Sequence, residues 1–232
     1  MPPMDQKIPR PTSLSTFIYE ALLERIATGK ASAGDRIVID QVAEELGVSL
    51  IPVREALARL NAEGLVEHQL HRGYRVTAAP ETTDYKDLFL ARLVVESGAI
   101  RNFQGTISAD ALQELISINE KIAKLKPGKT FRTFKRFIEL NDEFHMKLVA
   151  IASSKTLTDL YSTLAYGSRI ARDLQGRGVP DLAENVREHR AIIDALAAGE
   201  TQAAAIAAEQ HIKAGMERFL LDLGRVAPRE TA

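Results

Sequence analysis

Cysteine is absent from the 232 residues, which excludes disulfides and every thiolate metal site. No apolar run approaches the ~18 uninterrupted residues that a membrane-spanning helix requires, and the opening MPPMDQKIPRP lacks the apolar core of a signal peptide. A cytoplasmic protein with no membrane contact is the expectation. An excess of positive charge is missing too. The formal net charge is −1, and residues 1–78 hold nine Lys/Arg against ten Asp/Glu. The basic stripe that usually marks a nucleic-acid binder is therefore not visible in composition, and any positive surface must be local. Histidine is scarce, with five in the chain, so the place of each is informative. What is present, 45% hydrophobic and 26% charged residues, is the profile of a globular chain. Its length suits one large domain or two ordinary ones.

Residues 1–14 are proline-rich and read as a loose arm. STFIYEALLERIAT then carries Phe17, Leu22 and Ile26 at helical spacing, with Gly29 as a stop. KASAGDR is a turn, Asp40 a candidate N-cap for QVAEEL, and Gly47 the end of that short helix. Ser49 can cap a further helix running to about Glu63, with Gly64 beyond it and Leu57, Leu60 and Leu65 at core spacing. LVEHQL and YRV read as strands on either side of the glycine turn HRG. Pro52 falls in the first turn of its helix, where amides have no intrahelical acceptor, so it marks a beginning rather than a break. In a helix-turn-helix the second helix enters the major groove with its first residues on base edges. That places Ser49, Leu50, Ile51, Pro52 and Arg54 at the DNA, with the Arg54 guanidinium able to fork onto guanine or grip a phosphate. His71, Arg72 and Gly73 at the hairpin tip supply a second contact, and Arg36 is counted with them. Taken singly, Arg54 and Arg72 fit an ordinary charged surface equally well; the turn, cap, early proline and basic-tipped hairpin argue together.

The stretch ELGVSLIPVREALARLNAEGLVEHQLHRGYRV resembles the winged helix-turn-helix of the GntR superfamily of bacterial transcription regulators, over residues 15–78. The resemblance implies a homodimer that reads an inverted-repeat operator in double-stranded DNA. The family often has arginine and threonine where this chain has Leu50 and Ile51. Either thymine methyl groups lie beneath these two residues, or direct readout matters less here.

TAAPETTD is the expected link to a second domain over residues 79–232, with helices near 82–103, 108–125, 130–152, 154–174, 181–198 and 201–223. The fold class is mainly α: a winged helix-turn-helix followed by an all-α six-helix bundle. In the third of these helices Asn141 and His145 fall within the apolar stripe of Phe134, Ile138, Phe144, Leu148 and Ile151, four residues apart on one face. His189 sits in the stripe of Leu182, Val186, Ile193 and Leu196. His211 interrupts Ala204, Ala207, Ala214 and Leu221. Each histidine alone fits a hydrogen-bonded core residue. Buried polar groups need partners, and one divalent metal would satisfy three imidazoles together; zinc suits them, with nickel or manganese as alternatives.

This half resembles the FCD ligand-binding domain of the FadR branch, in its smaller, VanR-like version. Many FCD domains hold a metal through an aspartate and a histidine four apart and two later histidines. Carried over, these are Asn141, His145, His189 and His211, with Asn141 in the usual place of aspartate and Asp142 as a possible substitute ligand. The resemblance further implies a small organic-acid effector near the metal. Arg92, which interrupts the stripe of Leu88, Val95 and Ala99, can anchor its carboxylate or can pair within its helix with Glu96; Arg169 and Arg172 are further candidates. The reading is a ligand-responsive DNA-binding regulator, not an enzyme. The alternatives are a metal-dependent hydrolase, for which no general base stands out, and a regulator whose metal only braces the bundle.

Overall fold

The computed structural model describes residues 13–70, 72–78, 80–126, 130–164 and 181–225. The chain divides into two compact units, Met1–Ala78 and Ala79–Ala232.

In the first unit α1 spans Leu14–Ala27, β1 Arg36–Ile37, α2 Ile39–Leu46, α3 Leu50–Ala62, β2 Val66–Gln69 and β3 Gly73–Val76. The Ser13 hydroxyl caps α1 by accepting from the Thr16 amide at 3.2 Å. Ile18, Leu22, Leu23 and Ile26 of α1 pack on α3, whose Val53, Leu57 and Leu60 are fully buried. Phe17 is not part of that face; it is 58% exposed. Helix α2 begins one residue before Asp40, with Val38 at its N-cap, and Asp40 lies in the first turn. Gly47 closes α2 with φ +63°, a left-handed conformation that glycine adopts without steric cost. Ser49 occupies the N-cap position of α3, but its side chain makes no capping hydrogen bond.

The three strands form one antiparallel sheet in the order β1-β3-β2. Arg36 faces Arg75 across one edge, and His68 faces Tyr74 across the other. The two-residue strand β1 has no period to read in the sequence, and its partner β3 supplies what defines it.

In the second unit α4 spans Thr82–Arg101, α5 Ala109–Ala123, α6 Phe131–Ala150, α7 Lys155–Ser162, α8 Leu182–Ala197 and α9 Thr201–Arg225. Side chains at the N-caps fix most helix starts: Ser108, Thr130, Ser154 and Asp181 each accept from the amide three residues on, and Glu81 and Asp84 form a reciprocal capping box. Helix α9 packs on α4 and α8, α5 lies against α6 and α8, and α6 meets α4 and α7. The stripe of α6 is buried as its spacing requires, while Leu221 of α9 is 61% exposed and outside the core. Among the described residues, no helix is long and apolar enough to cross a membrane.

Candidate functional site

Helix α3 turns Val53, Ala56, Leu57 and Leu60 inward, which leaves Ser49, Ile51, Arg54 and Glu55 exposed at and near its start. Leu50 and Pro52 are half-buried between the two rows. An exposed helix start with free amides, an apolar Ile51 and a guanidinium within reach is suited to base edges and phosphates. The hairpin is braced against this helix: the Asn61 side chain accepts from the His68 amide at 3.0 Å. Arg36 lies on β1 with its Nε donating to the Arg72 carbonyl at 2.7 Å, so part of its guanidinium holds the hairpin tip. Arg75 does similar work, donating to the Gly34 carbonyl at 2.6 Å. Arg72 itself is exposed. Gly73 has φ +83°, and a Cβ there would stand 3.1 Å from the Ile37 carbonyl oxygen, so the tip demands glycine. His71 lies outside the described residues.

In the second unit, α6, α8 and α9 bring His145, His189 and His211 together, all three buried, with candidate ligand nitrogens within 4.8 Å of one another. His145 and His211 approach through their Nε2 atoms at 3.1 Å. Their other nitrogens are committed to carboxylates: His145 Nδ1 to Glu96 at 2.6 Å, and His211 Nδ1 to Glu188 at 2.7 Å. Glu96 also accepts from Arg92 Nε at 2.8 Å and the Tyr161 hydroxyl at 2.9 Å. Both oxygens of Glu188 are gripped by Arg218 at 2.8 Å. Two Arg–Glu–His chains thus meet nose to nose.

Charge fixes the tautomers. Burial alone would raise the Glu96 carboxyl, but the Arg92 and His145 beside it hold it down at about 2. Burial likewise opposes, and His211 and Arg218 outweigh, so that Glu188 is held at about 2. Burial pushes His145 down to about 4 against the pull of Glu96. It lowers His211 and drives His189 well below its ordinary 6.5. An ionised carboxylate only accepts, so each Nδ1 facing Glu96 or Glu188 is the donor of that hydrogen bond. The two Nε2 atoms then face each other at hydrogen-bond distance.

His189 lies flat on Phe144, with ring centroids 3.8 Å apart, and edge-on to His145 and His211. Neither of its nitrogens has a hydrogen-bond partner among the described residues, and both are buried. Asn141 is buried beside this cluster and takes a long hydrogen bond, 3.5 Å, from Asn185. Asp142 is not in the group; its charge acts on the Tyr161 hydroxyl instead. Glu96 and Glu188, the partners that aim two of the rings, were not picked out as such by sequence reasoning. Their signals were faint: Glu96 stands four residues after Arg92, and Glu188 adjoins His189.

A cavity of about 70 Å³ opens beside the cluster, with His211, Asn141, Arg92 and Arg218 among its lining residues and Phe89 and Phe219 among its apolar walls. At roughly 10–15 Å³ per water on this measure, it has room for about five to seven waters. Arg92 is paired to Glu96 within α4, the intrahelical alternative, and also lines the cavity. Arg169 and Arg172 lie outside the described residues.

Comparison with known proteins agrees with this architecture. A model described as bacterial regulatory proteins, gntR family, matches residues 14–76, and an FCD domain model matches residues 87–214. The chain is 28% identical over 207 residues to the "Probable D-xylose utilization operon transcriptional repressor" of Paenarthrobacter nicotinovorans, covering 88% of this chain and 87% of the relative. It is 27% identical over 210 residues to the HTH-type transcriptional regulator YdhC of Bacillus subtilis, covering 90% and 91%. Two solved structures share the fold. E. coli McbR/YncC aligns with a TM-score of 0.67 at 18% identity, over 91% of this chain and 99% of that one. A GntR protein from Rhodococcus sp. RHA1 aligns with 0.65 at 24% identity, over 92% and 99%. The matched families and named relatives are regulators, not enzymes. The chain belongs to the GntR family of bacterial regulatory proteins: it is a DNA-binding transcriptional regulator with an N-terminal winged helix-turn-helix and a C-terminal FCD domain.

Proposed function

We propose that this regulator senses a small carboxylate through a divalent metal ion held by His145, His189 and His211 with the Asn141 amide oxygen, and that it does so as a homodimer reading an inverted repeat. The observation that carries the reading is the meeting of the two Nε2 atoms, 3.1 Å apart, beside a third imidazole with neither nitrogen paired. Bonds of 2.0–2.1 Å to a common ion would subtend about 95–100° across such a separation, between octahedral and tetrahedral values. Small ring movements would close the remaining nitrogen onto the same centre. Zinc fits this neutral nitrogen-and-oxygen set, and nickel or manganese also suit it.

Four neutral ligands leave the ion its full double charge and open positions, which invites an anion from the adjoining cavity. Arg92 and Arg218 bring guanidinium donors to its lining, but they are paired to Glu96 and Glu188 and share the lining with Asp181 and Asp222. The net attraction for an anion therefore comes from the ion itself, strengthened by the apolar walls of Phe89 and Phe219. An acid that binds one arrangement of a dimer more tightly shifts the spacing of the two DNA-reading helices. Arg54, Ile51, Leu50, Ser49 and Pro52 would meet the major groove, with Arg72 and Gly73 at the hairpin contact. The direct test is a mobility-shift titration on DNA upstream of the protein's own gene, with metal-loaded and chelated protein and with added organic acids. Affinity that responds to acid only when metal is present supports sensing. A melting temperature that falls with chelator, beside DNA binding indifferent to every acid, would leave the metal as a brace alone.

Glu188 tests the outer shell. Partners that orient metal-binding imidazoles are typically worth about 10–100-fold in metal affinity. Glu188→Gln is expected to weaken metal binding by about that factor, measured by competition with a chelator; unchanged affinity would show that His211 needs no such orientation.

The metal-free protein has its own signature. In the unfolded chain His145 titrates near 6.5, and in the folded chain at about 4. As pH falls through this window, the unfolded state takes up the proton first. The stability contributed by the neutral imidazole is therefore full above pH 6.5 and lost as pH falls to about 4. Chelated protein is expected to melt at progressively lower temperature across that window, and a flat profile would contradict a neutral buried imidazole.

A further inference from the structure

We infer that Gly215 sets which acids the cavity admits: its missing side chain is the room in which the part of the ligand beyond its carboxylate lies. The inference rests on the metal-and-carboxylate reading above and adds the size class of the ligand, a carboxylic acid longer than acetate.

Gly215 stands in α9 four residues after His211 and four before Phe219, so the three share one helix face. All three line the cavity. Proline apart, glycine is the residue least favoured inside a helix, and at this position packing does not require it. A Cβ at Gly215 would meet no atom within 4 Å beyond its own helix's backbone. Its backbone has no left-handed φ that would demand glycine either. What the glycine supplies is open space, one helical turn from an imidazole of the proposed metal centre. In a cavity of about 70 Å³, a single methyl takes a sizeable share.

The surroundings indicate what fills that space. A carboxylate at the ion would direct its chain along the face of α9, past Gly215 towards Phe219. Phe89, Phe137 and Phe219 are its aromatic lining, and Arg218, Asn185, Asp181 and Asp222 are among its polar lining. Asn185 is buried, and its amide shares one long contact with Asn141 that leaves its carbonyl oxygen without a hydrogen-bond donor among the described residues. A chain that reaches this far has both apolar wall and polar edge to meet; acetate reaches neither.

The test is calorimetric titration of zinc-loaded full-length protein with acetate, hexanoate and gluconate, in wild type, Gly215→Ala and Gly215→Val. Wild type is expected to bind at least one six-carbon acid more tightly than acetate. Gly215→Val should weaken that acid at least tenfold and Gly215→Ala severalfold, with zinc content and acetate affinity unchanged. Gly215→Ala should also melt at a higher temperature, since alanine is the better helix residue. That variant keeps the test decisive if valine impairs folding. Six-carbon acids that bind equally to wild type and variants, or no better than acetate to wild type, would overturn the inference alone. Wild-type protein that takes up no zinc would overturn the metal reading, and this inference with it.

Discussion

Replacing His189 with alanine is expected to reduce bound metal from about one ion per chain to a small fraction of that, a loss larger than the roughly 10–100-fold typical of an orienting partner. The reason lies in what else His189 does, which is very little by hydrogen bonding. Both nitrogens are buried and unpaired among the described residues, so the ring's polarity is a cost to the metal-free fold rather than a contribution. A second variant separates ligation from packing. Phenylalanine keeps the flat contact with Phe144 and removes the unpaired nitrogens. His189→Phe should be neutral or stabilising in chelated protein, yet should abolish the rise in melting temperature that metal gives wild type. At metal concentrations 100 times Kd that rise corresponds to about 2.7 kcal/mol. Wild-type metal content in either variant would remove His189 from the site.

Arg54→Ala carries the second large effect. Arg54 is exposed on the second turn of α3, beside the outward row that begins at Ile51. A bidentate arginine–guanine pair is worth about 1–3 kcal/mol of discrimination, so two copies in the proposed dimer amount to roughly 30- to 25,000-fold in operator affinity. The expected mobility shift is therefore lost at protein concentrations that saturate wild type. Circular dichroism and dimer mass should not change, because Arg54 supports none of the buried contacts between α1 and α3. If non-specific DNA weakens by the same factor, Arg54 grips phosphate rather than bases. Unchanged operator affinity would refute both roles.

Much of this molecule could be read from spacing. The helix borders marked by Gly47 and Gly64 follow from local backbone chemistry, and the Asn141–His145 interval places both on one face whatever the tertiary context. Both domains were legible because each leaves a local mark. Other features were not, and each for a stated reason. The strand β1 exists because Arg36 and Ile37 pair with β3, and two residues carry no periodicity. Phe17 and Leu221 sit at helical spacing but face outward, since periodicity gives a helix its apolar residues without saying where its neighbours end. Arg36, counted as a DNA contact, also braces the hairpin through a carbonyl far away in sequence.

The site shows the same division. Three histidines in three apolar stripes suggested convergence, and the helices do bring them together. The carboxylates that aim two of them come from α4 and α8, and no spacing rule links Glu96 to His145 across separate helices. Arg92 posed a choice between pairing and ligand binding; it takes the intrahelical pair with Glu96 and also lines the cavity. Glu96 matters beyond its own helix. Fully buried, it joins α4, α6 and α7 through Arg92, His145 and Tyr161, so the proposed metal centre reaches three helices through one carboxylate.

One divalent ion is proposed to sit among His145, His189 and His211. X-ray diffraction from crystals grown without added metal, recorded on both sides of the zinc, nickel and manganese absorption edges, tests it most directly. One anomalous peak per chain is expected, bonded at about 2.0–2.1 Å to His145 Nε2, His211 Nε2 and a nitrogen of His189. Rings that instead share a proton, or turn to separate neighbours around no anomalous peak in protein that also takes up no metal in solution, would contradict it.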